Sequence, residues 1–394
     1  MFPIWSLWYY NSRMTTLFSR IFGKSEERAV GIDVGTSSIK IVELYTESGH
    51  LYLETYGSIA LGPYADSGVG KATGLSIEKN QDALEKLLAE SACSAKNAAV
   101  TIPFSASLIS VIRLPKASES RLEQIVPNEA RKYVPAPIEG VMLDWSVIDA
   151  KQGAPVDNNP TESEIKGNEG EEAKKEMKNI EQIDVLMAVI HNYSLERYQA
   201  ILKETNLNVL FYEIEVFSTL RALSPIERDV PVAVIDIGAA TSQIYITEGG
   251  ITRASHTINM GSQDITISIS KALNISEEEA EMVKRAIGAG GSFIHLQEAV
   301  QESLEHLYTD ALRFIGSYEK KNHSSVDRVI MAGGGASMKG IEKVSQERLG
   351  KNVSVGKPFD RVKIPPFMKE TLARIGPEYT PALGAALRAI GVEE

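Results

Sequence analysis

The sequence predicts an α/β protein of two lobes that open on the same device. Three observations carry this. First, the chain has 394 residues, beyond the size of about 250–300 residues at which a single hydrophobic core stops growing. Second, residues 29–44 (AVGIDVGTSSIKIVEL) and 232–246 (VAVIDIGAATSQIYI) repeat one pattern: an apolar strand, Asp, an apolar residue, Gly, small and hydroxyl residues, then another apolar strand. Third, an apolar strand at 326–332 runs into Gly333, Gly334 and Gly335 and then a helical stretch at 339–349.

Each copy of the repeat reads as a β-hairpin, because β-branched residues alternate on both sides of a tight Gly-containing turn. Gly35 and Gly238 let a ligand approach the backbone, and the turns offer unhindered N–H groups and the hydroxyls of Thr36, Ser37, Thr241 and Ser242, the chemistry that cradles phosphate oxygens. Asp33 and Asp236 close the two first strands. Two carboxylates repel a polyphosphate, but they bind it through Mg²⁺ and its waters, since Mg²⁺ takes few carboxylates and keeps several waters. One such turn alone would be only a hairpin; two in the same frame point to one shared site. Lys40, on the return strand, places an ammonium where it reaches back to phosphates. A glycine triplet between strand and helix admits a base or ribose to the backbone. There is no GxGxxG dinucleotide fingerprint and no GxxxxGK[ST] phosphate loop.

Composition narrows the partners. A hydrophobic fraction of 43% and a charged fraction of 24% are those of a soluble globular chain, not of a disordered, collagenous or polytopic membrane protein. With a net charge of −11 there is no global basic field, so nucleic acid is not expected as the main partner. Cys93 is the single cysteine, so no internal disulfide and no thiolate metal site can form, and a reducing compartment is expected. The six histidines lack metal-ligand spacing.

Two segments stand apart. Residues 1–13, with Trp5 and Trp8, read as an over-extended gene start or a tail; their apolar run is too short to span a bilayer and lacks a secretory signal's basic start. From Met14, Leu17, Phe18, Ile21 and Phe22 recur at helical spacing, expected as a terminal helix packed on the protein or lying on an anionic membrane. Residues 151–182 carry no aromatics and few large aliphatics, so they read as a mobile insertion joining two neighbouring strands, Val141–Ile148 and 183–190.

With these residues in place, the chain resembles the actin/heat-shock-chaperone/sugar-kinase superfamily. Asp33-Val-Gly-Thr-Ser-Ser-Ile-Lys40 is similar to its first phosphate loop, Asp236-Ile-Gly-Ala239-Ala-Thr241 to its second, and Gly333-Gly-Gly-Ala-Ser337 to its adenosine loop. Within it, GIDVGTSSIKIVEL, the segment at 128–148 and PALGAALRAI at 381–390 resemble the PilM family of type IV pilus assembly. The resemblance implies an actin/heat-shock-chaperone-like two-lobed ATPase fold with a 1C-type, FtsA-like inserted subdomain. Its parts would be a tail at 1–28, subdomain 1A at 29–102 plus 206–230, subdomain 1C at 103–205 and a second lobe at 231–394, whose smaller part lies at about 262–325.

It implies ATP and Mg²⁺ as cofactors, with slow or absent hydrolysis. By analogy, Glu215 at a helix start would orient the attacking water, though a carboxylate there also compensates a helix dipole. Lys284 would face adenine, though it could equally lie on a solvated helix face. Gly384 would let the two connecting helices pack closely. The implied partner is the N-terminal cytoplasmic peptide of a PilN-like membrane protein, in a 1A/1C groove lined from 107–114 and 118–134, with other pilus inner-membrane components alongside. Arg131 and Lys132, at the end of that helix, are read as dipole-complementing charges ahead of peptide ligands. Pro127 is expected to kink or split the helix. The protein would sit in the cytoplasm at the inner face of the membrane, attached through partners, with self-association into oligomers or filaments open. An FtsA-like division filament protein and a small-molecule kinase are the alternatives; the chain ends ALRAIGVEE, without the basic amphipathic helix that closes FtsA-like proteins, and no motif names a second substrate's general base.

Overall fold

The computed structural model describes residues 27–134, 137–148, 182–226, 230–289 and 294–392. The readings of the amino end, with Trp5, Trp8, Met14 and the terminal helix, and of nearly all the 151–182 insertion lie outside the described residues. Gln182 belongs to a strand rather than to the insertion.

The first lobe opens with strands β1 (Arg28–Val34), β2 (Ser38–Glu47) and β3 (His50–Ala60), then helix α1 (Ile77–Glu90) and β4 (Asn97–Ile102). An excursion follows: β5 (Ser107–Pro115), α2 (Glu119–Ala130), β6 (Val141–Ile148), β7 (Gln182–His191) and α3 (Asn192–Leu202). The chain returns through β8 (Asn208–Ile214) and α4 (Glu215–Leu223). The second lobe repeats the plan with β9 (Val232–Ile237), β10 (Ser242–Glu248) and β11 (Ile251–Ile258). Three helices come next, α5 (Ser262–Leu273), α6 (Glu277–Ile287) and α7 (Ile294–Asn322), then β12 (Arg328–Ala332), α8 (Ile341–Leu349), β13 (Asn352–Val355), α9 (Lys369–Ile375) and α10 (Thr380–Ala389).

The repeat in sequence is a repeat in topology. One five-stranded sheet runs β3-β2-β1-β4-β8 and the other β11-β10-β9-β12-β13. In each, the first strand pairs antiparallel with the return strand and parallel with the next. The central strands are buried along nearly their whole length, β1 as RAVGIDV and β9 as VAVIDI, because both sheet faces are covered. Inside the first lobe, β5-β7-β6 form a separate antiparallel sheet, covered by Leu122, Val126 and Ala130 of α2. Because β6 pairs directly with β7, residues 149–181 connect neighbouring strands. Helix α2 runs unbroken through Pro127, so the expected split is absent. The proline lacks the N–H that would bond the Glu123 carbonyl, so the helix gives up one hydrogen bond and still continues to Ala130.

Helices α4 and α10 cross where the lobes meet. A Cβ at Gly384 would run into the Ser218 carbonyl, and one at Gly31 into the Ala382 carbonyl, so glycine permits both approaches. At the crossing, buried Arg221 grips Glu213 through both guanidinium nitrogens at 2.7 Å and donates to the Gly384 carbonyl at 3.1 Å. The first core draws on both sheets, joining Val30, Ile32 and Val100 to Val232, Val234 and Ile330. A second core packs α5, α7 and α8 under the other face of β9–β12.

Candidate functional site

The twin turns fold alike. Gly35 N–H donates to the Ser38 carbonyl at 3.0 Å and Gly238 N–H to the Thr241 carbonyl at 3.1 Å, so each turn is closed by the same bond. Both face one interlobe cavity of about 400 Å³, lined by Asp33, Gly35, Thr36, Ser37 and Lys40 from one lobe and by Asp236, Gly238, Ala239, Thr241, Gly333 and Gly334 from the other. Glu215, the first residue of α4, lines it as well. A second cavity of about 440 Å³ adjoins it, sharing Ser37, Ser38, Lys40, Gly238, Ala239, Gly334 and Glu378. Lys284, Gly335 and Ser337 line this second part. Every predicted site residue except Ser242 therefore lines one continuous cleft, of a size that suits a small cofactor.

The glycine triplet is placed by contact. Gly333, at φ +80°, lies so close to the Asp236 carboxylate that a side chain there would strike it, and Gly335 packs on Ile237 in the same way. The Ser337 hydroxyl is buried without a hydrogen-bond partner among the described residues, at the wall of the second cavity.

Several residues differ from their expected parts. Ser242 is fully buried and its hydroxyl donates to the Met260 carbonyl at 2.7 Å, so it offers nothing to the cleft. Lys284 lines the cleft but already donates to Ser262 O and Thr266 Oγ1 and pairs with Glu281 at 2.7 Å; it is a buried, internally held cation rather than one on a solvated face. Lys40 makes no hydrogen bond or ion pair among the described residues, which leaves its ammonium for the cleft. Lys132 pairs with Glu129 at 2.8 Å.

The carboxylates feel one another. Burial, then the charges of Asp236 and Asp33, push Glu215 up to about 8, while Glu215 Oε1 accepts from the Phe104 N–H at 2.8 Å. Burial, then Asp33, push Asp236 up to about 7. Such mutual repulsion marks a place built for positive charge. Among the described residues no group of three or more His, Cys, Asp or Glu is arranged to hold a metal ion. The donor set fits Mg²⁺, which takes one or two carboxylates and fills its shell with water and phosphate oxygens.

Sequence reasoning missed Thr101, Glu378, Arg197 and Tyr198. Thr101 Oγ1 donates to Asp33 Oδ1 at 2.7 Å. Arg197 and Tyr198 bring α3 to the cleft wall, where Tyr198 donates to the Val34 carbonyl at 3.3 Å. No local motif marks them, because each acts from an element remote in sequence. Among the described residues no helix is long and apolar enough to cross a membrane.

Comparison with known proteins agrees with this architecture. The family model described as "Type IV pilus assembly protein PilM" matches residues 31–163 and 171–390. The chain is 28% identical over 170 residues to the cell division protein FtsA of Bacillus subtilis, an alignment covering 37% of this chain and 38% of FtsA, so this chain spans well under half of that relative. In structure it is similar to a chain of a "PilM-PilN type IV pilus biogenesis complex", at 24% identity and a TM-score of 0.72, covering 93% of this chain and 99% of the other. It is also similar to the ethanolamine utilization protein EutJ of Carboxydothermus hydrogenoformans, at 16% identity and a TM-score of 0.53, covering 93% and 90%. The fold is the actin-like ATPase fold.

Proposed function

Because the chain belongs to the PilM family of type IV pilus assembly proteins, we propose that it is a nucleotide-binding scaffold of the pilus assembly apparatus, holding Mg-ATP between its lobes. The observation that carries this is the convergence of two identically closed Asp-x-Gly turns and a glycine triplet on one cleft. With the Gly35 and Gly238 N–H groups closing the turns, the N–H groups of Thr36, Ser37, Ala239 and Thr241 and the hydroxyls of Thr36, Ser37 and Thr241 take the phosphate oxygens, and Lys40 adds a point charge. Asp33 and Asp236 would hold the Mg²⁺ through its waters; when bound, the ion neutralises the phosphate charge. Gly334, Gly335, Ser337 and Lys284 border the cavity that takes the adenosine. Glu215, raised in pKa and tied to the Phe104 N–H, is a weak water-orienting group, so turnover is slow and the nucleotide acts chiefly as a conformational ligand.

Similarity to a chain of a PilM-PilN complex supports a PilN-like partner. Its N-terminal cytoplasmic peptide would lie between the first five-stranded sheet and the β5-β7-β6 sheet, and would attach the scaffold to the inner face of the cytoplasmic membrane together with other pilus components. Titration calorimetry tests the cleft: the wild type binds Mg-ATP, and Asp33→Ala and Asp236→Ala each weaken it at least tenfold, about 1.4 kcal/mol. Unchanged affinity in both variants would remove the proposal.

A further inference from the structure

The twin turns share a backbone plan but not their neighbours. In the first sheet Asp33 stands opposite Lys40 on one side and Thr101 on the other. In the second, Asp236 stands at the same register position opposite Gln243 and Ala332. The consequence is chemical. Thr101, 1% exposed, donates its hydroxyl to Asp33 Oδ1 at 2.7 Å, and Asp33 itself is 8% exposed. Ala332 has no donor to give. The Gln243 amide oxygen is taken by the Thr257 hydroxyl at 2.9 Å, and the Asp236 side chain makes no hydrogen bond among the described residues; it rests against Gly333.

We propose that the two turns divide the work: the first is the metal anchor, with Thr101 as the positioning residue that holds Asp33 toward the ion, and the second joins through Asp236 only when the nucleotide is in place. This rests on the cleft being a Mg-nucleotide site. A carboxylate with one oxygen fixed by a buried donor keeps its other oxygen aimed at the cleft, so no rotational freedom is lost when the hydrated ion arrives. A carboxylate that no side chain holds takes its final direction from the ligand. Thr101 touches neither ion nor phosphate in this arrangement; it acts through Asp33.

The test compares Thr101→Val, which keeps the shape and removes the donor, with Thr101→Ser, which keeps the donor. Calorimetry with ATP is run with Mg²⁺ and with a chelator, and Mn²⁺ affinity of the nucleotide-free chain is read by electron paramagnetic resonance. Thr101→Val should weaken Mg-ATP binding and Mn²⁺ binding by about tenfold or more, the effect of losing a buried hydrogen bond to a charged group. It should leave metal-free ATP affinity unchanged, and Thr101→Ser should restore the metal-dependent part. In an Asp33→Asn background, Thr101→Val should have no further effect on metal dependence. An equal loss with and without metal would mean a merely structural role and overturn the proposal, as would no loss at all. If Thr101→Val does not fold, Thr101→Ala, which adds no bulk, is read by the same criteria. A wild type that binds no nucleotide would overturn the functional reading itself, a result distinct from wild-type binding that is indifferent to Thr101.

Discussion

Glu215 and Asp236 give the cleft a pH signature. Both are raised above the ordinary carboxylate range, to about 8 and about 7, by burial and then by neighbouring negative charge. A carboxyl whose folded pKa is raised contributes stability that is fully present below its unfolded pKa and is lost as pH rises through the folded value. The ligand-free chain should therefore lose thermal stability from about pH 4 upward, most steeply around pH 5–7, levelling off above about pH 8, and Glu215→Gln should flatten that slope in a melting series. A slope that survives in Glu215→Gln and Asp236→Asn alike would place its origin elsewhere. Lys40 opposes both raised carboxyls, so Lys40→Ala should extend the same loss to higher pH while weakening nucleotide binding. The aspartates and the turn glycines were legible in the sequence because the repeat printed them twice in one frame, and Lys40 because it follows the first turn on its return strand. Thr101 was not, because its contact with Asp33 exists only through the parallel pairing of strands far apart in the chain. Ser242 misled for the same reason: pattern shows a hydroxyl but not that the Met260 carbonyl already holds it.

At the level of elements, the crossing of α4 and α10 fixes how the lobes meet. Glu213 is fully enclosed, which alone would raise its pKa, but the Arg221 guanidinium outweighs burial and holds it below the usual range. Its contribution is therefore present above the ordinary carboxylate range and lost as pH falls through the lowered value, the opposite sign to Glu215. Removing one partner leaves the other charge buried, so Arg221→Ala should cost about 3–5 kcal/mol in chemical denaturation. Gly384→Ala should cost about 1–3 kcal/mol or more by a different route, since the added methyl meets backbone rather than a side chain that could turn away. A Gly384→Ala chain as stable as wild type would mean that the helices separate freely. The sequence announced this crossing only in part. The small residues of PALGAAL mark a tightly packed helix, but the Arg221–Glu213 clamp needs β8 and α4 to fold back on each other. Pro127 shows the converse: a local rule predicted a break, yet the helix gives up one hydrogen bond and continues to Ala130.

Across the whole molecule, the contacts between the lobes differ in stiffness. The α4–α10 floor is buried and locked by glycine and by an ion pair. On one flank, buried Asp184 of β7 receives Arg113 at 2.9 Å and reaches Arg253 of β11 at 3.7 Å, tying the inserted sheet to the second lobe. Over the cleft, the segment between β3 and α1 crosses to the second lobe with lighter contacts. The Ala72 N–H donates to Gln263 Oε1 at 3.0 Å, and Lys71 meets Glu277 at 3.2 Å with both side chains nearly half exposed. An exposed pair of that kind contributes little, so under the proposed function this crossing is expected to yield first when nucleotide enters. Gly70 is its tightest point. At φ +89° a Cβ there would lie 2.9 Å from the Glu281 carboxylate, the group that holds Lys284 and Thr266 beside the second cavity. Gly70→Val would thus lift the crossing segment and disturb Glu281 together, while leaving the floor intact. The expected outcome is a ligand-free particle of larger radius of gyration by small-angle X-ray scattering, several-fold faster nucleotide dissociation, and a melting temperature changed little beside that of Gly384→Ala. Dissociation as slow as in wild type would mean that the floor, not the crossing segment, controls access, and that the order of stiffness is the reverse.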